Sequence, residues 1–402
     1  MNMATMFGQT ISDADQLIIA QAHELSDKLK QHRMEMFPPT AQKTLRQFQL
    51  SEAARFLGVT SGHLRNLSLE GKGPQPQVTS SGRRSYSAEQ LLDMRAYLEQ
   101  NGRGQRYVPR RRGSERLQVI AVVNFKGGSG KTTTTAHLAQ HLALTGHRVL
   151  AVDLDPQASL SAIHGFQPEF DVEENETLYA AIRYDEHRRP LREVIRKTNF
   201  PGLDIVPGNL ELMEFEHDTP RILAQGGASD YGRIFFARLD EALSSVADDY
   251  DVVVIDCPPQ LGFLTMSAIC GATAVLITVH PQMLDVMSMC QFLQMLGEVL
   301  NTLKGAGGNM NLDWLRYLVT RYDPSDGPQT QMVAFMRSMF KQHVLTNPMV
   351  RSVAISDAAL TNQTIYEVDR SQFTRATYDR AMESMDGVNG EITDLIHKAW
   401  GR

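Results

Sequence analysis

From residue 117 onward the chain repeats one pattern: an unbroken apolar run, a polar or glycine-rich break, then a longer stretch with apolar positions three or four apart. Leu117 to Val123 (LQVIAVV), Arg148 to Val152 (RVLAV) and Asp251 to Ile255 (DVVVI) are such runs, and Ala274 to Val279 and Trp314 to Thr320 continue the series. These runs do not alternate apolar with polar residues, so they predict strands buried on both faces, as central strands of a parallel sheet are. Helical stretches between them predict βα units and an α/β fold with a doubly wound, mostly parallel sheet. Met283 to Leu300 predicts an amphipathic helix bearing Met283, Met287, Met289 and Met295, a stripe suited either to a core or to an adaptable interface.

The first 116 residues read differently. Residues 13–36 predict one long helix, with Ser12 or Asp13 as its cap, Phe37-Pro38-Pro39 as its stop, and Ile18, Ala22, Leu25 and Leu29 as one apolar stripe. That stripe suits burial against a copy of itself; packing on its own domain is the other reading. Leu50 to Leu57 predicts a short helix, Gly58-Val59 a tight turn, and Thr60 to Leu67 a second helix, which is helix–turn–helix spacing. A loop from Gly71 to Pro74, the segment Arg83-Arg84-Ser85-Tyr86 and a third helix from Ser87 follow. Residues 101–116 hold six arginines among glycines and a proline and read as a linker, its arginines either tracking a phosphate backbone or simply solvated. The predicted organisation is a dimerisation helix in residues 1–40, a small helical domain in 41–102, the arginine-rich linker in 103–116 and the α/β domain in 117–402.

Charge sharpens this division. The net charge is −6, but residues 1–116 carry 17 Lys and Arg against 11 Asp and Glu (+6), and the remainder carries 23 against 35 (−12). A basic front on an acidic body predicts that the front faces a polyanion. No apolar run approaches the roughly 18 residues of a membrane span, which excludes an integral membrane protein. The N-terminal segment lacks the basic and apolar regions of a secretory signal, so a cytoplasmic protein is expected. Cys257, Cys270 and Cys290 form no C-x-x-C pair and no disulfide framework.

The break after the first apolar run carries the strongest chemical signal. Asn124-Phe125-Lys126-Gly127-Gly128-Ser129-Gly130-Lys131-Thr132-Thr133 joins a predicted strand to a helix starting near Thr134. Strand, glycine loop and helix in that order make a phosphate site, because backbone N–H groups unshielded by Cβ atoms converge on an anion at the helix N-terminus. Lys131 suits the β- and γ-phosphates, and the Thr132 hydroxyl suits Mg2+. The common pattern G-x-x-x-x-G-K-[ST] is not met: Phe125 takes its first glycine position, and Lys126 stands five residues before Lys131.

This variant loop resembles the deviant Walker A of the ParA/MinD family of ATPases. The resemblance implies that Lys126 reaches across a dimer interface to ATP held by the other subunit. A cation supplied in trans offsets charge developing in the transition state and ties hydrolysis to dimerisation. Asp153-Leu154-Asp155-Pro156-Gln157 resembles the family's DxDPQ segment, which implies that Asp155 orients or activates the attacking water and contributes to the metal site. Asp153 is implied to support the metal or the loop, and Asp256 matches the Walker B acid that holds Mg2+ through water. The implied cofactors are ATP/ADP and Mg2+, and the implied fold over residues 117–402 is the P-loop ATPase sheet. All three motifs end predicted strands, where ligands bind in open α/β sheets.

The small domain is similar to the winged helix–turn–helix of the MerR group. In such domains the second helix enters the major groove, so Ser61, His63, Arg65 and Asn66 are expected at base edges and Arg83 and Arg84 at phosphates. A helical module that binds only protein is the alternative. Arg351 matches an arginine that ParA relatives use for sequence-independent DNA binding, and Arg321-Tyr322-Asp323 either borders the adenine or forms a surface loop. With a helix and a DNA-binding domain ahead of the ATPase motifs, the chain is similar to the long ParA type of low-copy plasmids. That implies a homodimer, a ParB-type partner that stimulates hydrolysis, nucleotide-dependent binding to chromosomal DNA, and repression of its own operon at an operator. It also implies a nucleoid-associated protein with no membrane attachment. The alternatives are a metabolic P-loop enzyme, which leaves the front domain unexplained, and a MinD-like membrane ATPase. The latter's basic amphipathic tail is not matched by Glu391 to Trp400, which bears acids on its polar face.

Overall fold

The computed structural model describes residues 14–36, 43–102, 106–225, 231–305 and 311–402. The expected cap at Ser12 or Asp13 and the stop at Phe37-Pro38-Pro39 lie outside the described residues. The chain divides into two compact units, Met1–Thr44 and Leu45–Arg402. In the first, helix α1 (Ala14–Met36) carries an internal Lys28–Glu24 pair of 2.5 Å and presents Leu17, Ile18, Ile19 and Leu25 to solvent.

The second unit begins with β1 (Phe48–Gln49), α2 (Leu50–Leu57) and α3 (Ser61–Leu69), followed by β2 (Gln77–Val78), β3 (Arg84–Tyr86) and α4 (Ala88–Asn101). Gly58, with φ 70°, makes the left-handed turn that ends α2, and Thr60 caps α3 by accepting from the His63 N–H. The three short strands pair antiparallel in the order β1-β3-β2, so the segment after α3 returns as a hairpin.

A seven-stranded sheet follows, built from β4 (Gln118–Val123), β5 (Val149–Asp153), β6 (Arg196–Lys197), β7 (Leu203–Val206), β8 (Val252–Asp256), β9 (Ala274–Val279) and β10 (Trp314–Val319). Helix α5 (Lys131–Leu144) links β4 to β5. The order is β10-β9-β4-β8-β5-β7-β6, parallel throughout except for the antiparallel edge strand β6. Every residue of β4, β5, β8 and β9 is buried, as their unbroken apolar runs require. Strands β6 and β7 have no counterpart in the predicted series. The chain leaves β4 for β5 and returns to fill the gap between them with β8, and this crossing forms the crevice where such sheets bind ligands. Register completes the convergence: Asp256 lies opposite Val122 on one side and Asp153 on the other.

Three expectations change. Two of the linker arginines, Arg111 and Arg116, are neither tethers nor free. Arg111 donates from its backbone N–H to Asp251 (3.0 Å) and from its guanidinium to the Tyr250 carbonyl (3.0 Å), and Arg116 pairs with Asp313 at 2.6 Å. Residues 45–102 share one hydrophobic core with α5 and the C-terminal helix Arg375–Ala399: the Phe56 ring stands edge-on to His141 and Tyr366. In the helix Met283–Gly305, Met289 is buried but Met283, Met287 and Met295 are exposed, because the inward face runs through Asp285, Met289, Phe292 and Leu296.

Candidate nucleotide-binding site

The loop between β4 and α5 is held by the neighbouring strand β9 and the end of β10. Asn124 donates to the Thr278 carbonyl on β9 and accepts from the Lys126 N–H at 3.0 Å. The Thr278 hydroxyl donates to Ser129 at 3.1 Å, and Thr320, just after β10, donates to the Ser129 carbonyl at 2.8 Å. Gly128 and Gly130 have φ of 73° and 87°, a left-handed conformation that turns successive N–H groups toward the helix start and that side chains disfavour. Thr278 and Thr320 lie some 150 to 190 residues beyond the loop and have no motif of their own, so sequence reading passed over them.

Within this cradle Lys131 is buried, and its ammonium donates to the Lys126 carbonyl at 3.4 Å. Burial lowers its pKa, an effect offset in part by the charges of Asp256 and Asp155. Asp256 is fully buried, and neither carboxylate oxygen has a hydrogen bond of ordinary geometry. Desolvation and the neighbouring Asp153 push its pKa well above the usual carboxylate range, with the Thr132 hydroxyl and Lys131 opposing only in part. A buried carboxylate left without donors calls for a cation or its waters. The oxygens of Asp256, Thr132 and the partly exposed Asp155 are the hard donors that Mg2+ takes together with phosphate and water. Among the described residues no cluster of three His, Cys, Asp or Glu forms a metal site.

Of the two roles expected for Asp153, support of the metal or of the loop, its hydrogen bonds favour the loop. Its carboxylate accepts from the Ser161 N–H (2.8 Å) and hydroxyl (2.7 Å) and from the Asp155 N–H (3.3 Å), so it organises the loop after β5. Burial raises its pKa to about 7 despite these donors. Ser161 also accepts from the Gly208 N–H at 2.9 Å, tying that loop to the end of β7. Asp155 accepts from the Gln157 N–H at 3.0 Å and is less buried than Asp153 and Asp256. Lys126 is the one loop cation turned outward: its ammonium pairs with Asp285 at 2.8 Å.

The remaining predicted residues fall in two places. Ser61, His63, Arg65 and Asn66 share the exposed face of α3, while Leu64 and Leu67 hold the helix to its core. Arg83 is exposed at the hairpin turn, whereas the Arg84 guanidinium donates to Ser68 (3.2 Å) and the Gly82 carbonyl (3.4 Å). Arg351 lies just past the C-terminal end of β10, where its N–H donates to the Tyr322 carbonyl at 2.8 Å. Arg321 stands beside the phosphate loop, donating to the Gly128 carbonyl at 3.3 Å. The C-terminal helix turns its apolar stripe, including Met385, Ile392 and Ile396, into the core, and no described helix is long and apolar enough to cross a membrane.

Known proteins resemble this chain in sequence and fold. A family model described as an AAA domain matches residues 117–306. A protein named replication protein A from Sinorhizobium fredii is 62% identical over 390 residues, covering 96% of this chain and 95% of that one. The chromosome partitioning protein ParA of Caulobacter vibrioides is 32% identical over 248 residues, which cover 60% of this chain and 84% of that protein. Among solved structures, cobyrinic acid a,c-diamide synthase from Mycobacterium smegmatis, with bound ADP and magnesium, superposes with a TM-score of 0.50. It is 28% identical and covers 61% of this chain and 91% of its own.

Proposed function

The chain belongs to the ParA family of partition ATPases, and from that premise we propose that it hydrolyses ATP with Mg2+ and couples hydrolysis to DNA binding in plasmid segregation. The observation that carries the reading is the pairing of a buried, donor-starved Asp256 with Lys131 and Thr132 at the mouth of a helix-capped glycine loop. The synthase related in structure holds ADP and magnesium, and the donor set here suits the same pair.

Lys131 and the loop N–H groups bind the β- and γ-phosphates. Thr132 and Asp256 hold the magnesium ion directly or through water, and Asp155 contributes at the same mouth. When bound there, magnesium would supply neutralisation of the charge on the phosphate oxygens. Asp155 orients the water that attacks the γ-phosphate. Lys126 completes the site of a second copy, so two chains close face to face on two nucleotides, and the α1 stripe gives a second self-contact in the homodimer. A ParB-type partner stimulates turnover. Ser61, His63, Arg65 and Asn66 read an operator, Arg83 and Arg84 grip its phosphates, and Arg351 contributes to binding chromosomal DNA without sequence preference. Resemblance over 96% of the chain to a replication protein favours this reading over a metabolic synthase, which would need no such front domain.

The test measures ATP turnover with random duplex, with operator-bearing duplex and with neither, for the natural chain and for Lys131→Ala. Turnover that responds to DNA and vanishes in the variant is expected. Turnover indifferent to DNA, or retained in Lys131→Ala, refutes the assignment.

A further inference from the structure

The inward face of the helix Met283–Gly305 holds one anomaly: Met289, Phe292 and Leu296 are core residues, yet the position that starts the same face is Asp285, itself only 6% exposed. A carboxylate in a core position requires a partner. That partner is the Lys126 ammonium, which leaves the phosphate loop and reaches Asp285 at 2.8 Å. The pair is lopsided: the lysine side chain is 43% exposed and can swing away, while the aspartate is fixed in the helix's first turn and cannot follow. Around it the mouth is cationic. His280 feels Arg321, Lys126 and Arg351 as repelling charges and Asp285 as the attracting one, with burial the leading cause of its lowered pKa.

We propose that Asp285 is a positioning residue for hydrolysis: it parks Lys126 in the nucleotide-free chain, and the pair must break before Lys126 can serve a second copy. The proposal rests on the assignment of Lys126 as the trans cation. Its physical content is an exchange of partners. While Lys126 is parked, its charge is spent within its own chain. Releasing it strands a buried carboxylate, so the lysine leaves only when the triphosphate of another chain offers a stronger anion. ATP-dependent dimerisation is therefore opposed by a fixed contact, which keeps single nucleotide-bound chains from closing prematurely.

The experiment uses the full chain and two readouts. In the first, amine acylation of the nucleotide-free protein is quantified at Lys126 by mass spectrometry. Asp285→Asn is expected to raise labelling several-fold, and Asp285→Glu to keep it near the natural level. In the second, the dimerisation constant is measured by sedimentation with a non-hydrolysable ATP analogue and Mg2+. Asp285→Asn is expected to tighten the dimer by roughly fivefold to tenfold, the scale of a half-buried ion pair. Asp285→Ser serves in its place should the asparagine chain not fold. Unchanged Lys126 labelling, or raised labelling with no tighter dimer, overturns the proposal. Failure of the underlying reading shows separately: Lys126→Gln with normal turnover removes the trans role whatever Asp285 does.

Discussion

Lowering the pH should weaken the helix that carries the phosphate lysine, through one buried histidine. His137 lies two turns into α5 and is 3% exposed. Its Nδ1 is 2.7 Å from the Thr133 carbonyl, and its Nε2 accepts from the Ile365 N–H at 3.3 Å, so the neutral ring with its proton on Nδ1 satisfies both contacts. A second proton on Nε2 would face an N–H donor. Desolvation, only partly offset by Thr133 and Glu367, lowers the pKa to about 4 from 6.5. The unfolded chain thus takes up the proton first. Stability is complete above pH 6.5, falls between 6.5 and about 4, and falls no further from this cause below that. At 1.36 kcal/mol per pH unit the window is worth about 3 kcal/mol. Urea denaturation at pH 7 and pH 4.5 should show the natural chain losing about 2–3 kcal/mol more than His137→Gln over that step. The variant starts about 1 kcal/mol lower at pH 7 through a weakened hydrogen bond. His147, also buried and held near pKa 3, contributes equally to both proteins and cancels. Parallel losses in the two proteins would refute the assignment.

Arg83→Ala should lower the salt dependence of operator binding by about one phosphate contact. Arg84→Ala should lower it less, because its guanidinium is already committed to Ser68 and Gly82; filter-binding or anisotropy titrations across salt read both, and an unchanged slope for Arg83→Ala removes the hairpin from the interface. Phe56→Ala, which empties a site shared by Phe48, His141 and Tyr366, should cost about 3–5 kcal/mol in urea denaturation of the whole Leu45–Arg402 unit. A loss below about 1 kcal/mol would show that the small domain does not share the α5 core.

The sheet was legible because burial on both faces writes itself as an apolar run, and β4, β5, β8 and β9 announce themselves that way, while the edge strand β10 admits Arg316. Strand β7 did not, since its four residues include Asp204, whose charge is met by Lys197 and the Tyr250 hydroxyl only in the folded chain. The phosphate loop and the two strand-end aspartates were legible from local spacing. What local spacing could not supply was division of labour among acids: Asp153 and Asp256 look alike in sequence, yet one is saturated by Ser161 while the other lacks donors. The linker misled for the same reason. Its composition is that of a tether, but Asp251 and Asp313, well over a hundred residues away, take up Arg111 and Arg116.

One helix therefore serves two surfaces. The N-terminal turn of α5 bears Lys131 and Thr132, and its C-terminal half bears His141 against Phe56, in a core that also takes Arg55 through Asp386 at 2.8 Å. Arg95, buried on α4, binds the Phe56 and Tyr107 carbonyls, so α2, α4 and the start of the linker move as one body with that core. Close-packed interiors transmit displacement rather than absorb it. If nucleotide binding draws the first turn of α5 toward the phosphates, the far end cannot shift without moving α2, and α3 follows because the tight turn at Gly58 joins them. The reciprocal holds by linkage: DNA that prefers one orientation of α3 must alter nucleotide affinity by the same factor. On the proposed function, coupling between operator and ATP would follow from where the small domain is docked, and severing the Phe56 contact should uncouple the two ligands even where each still binds.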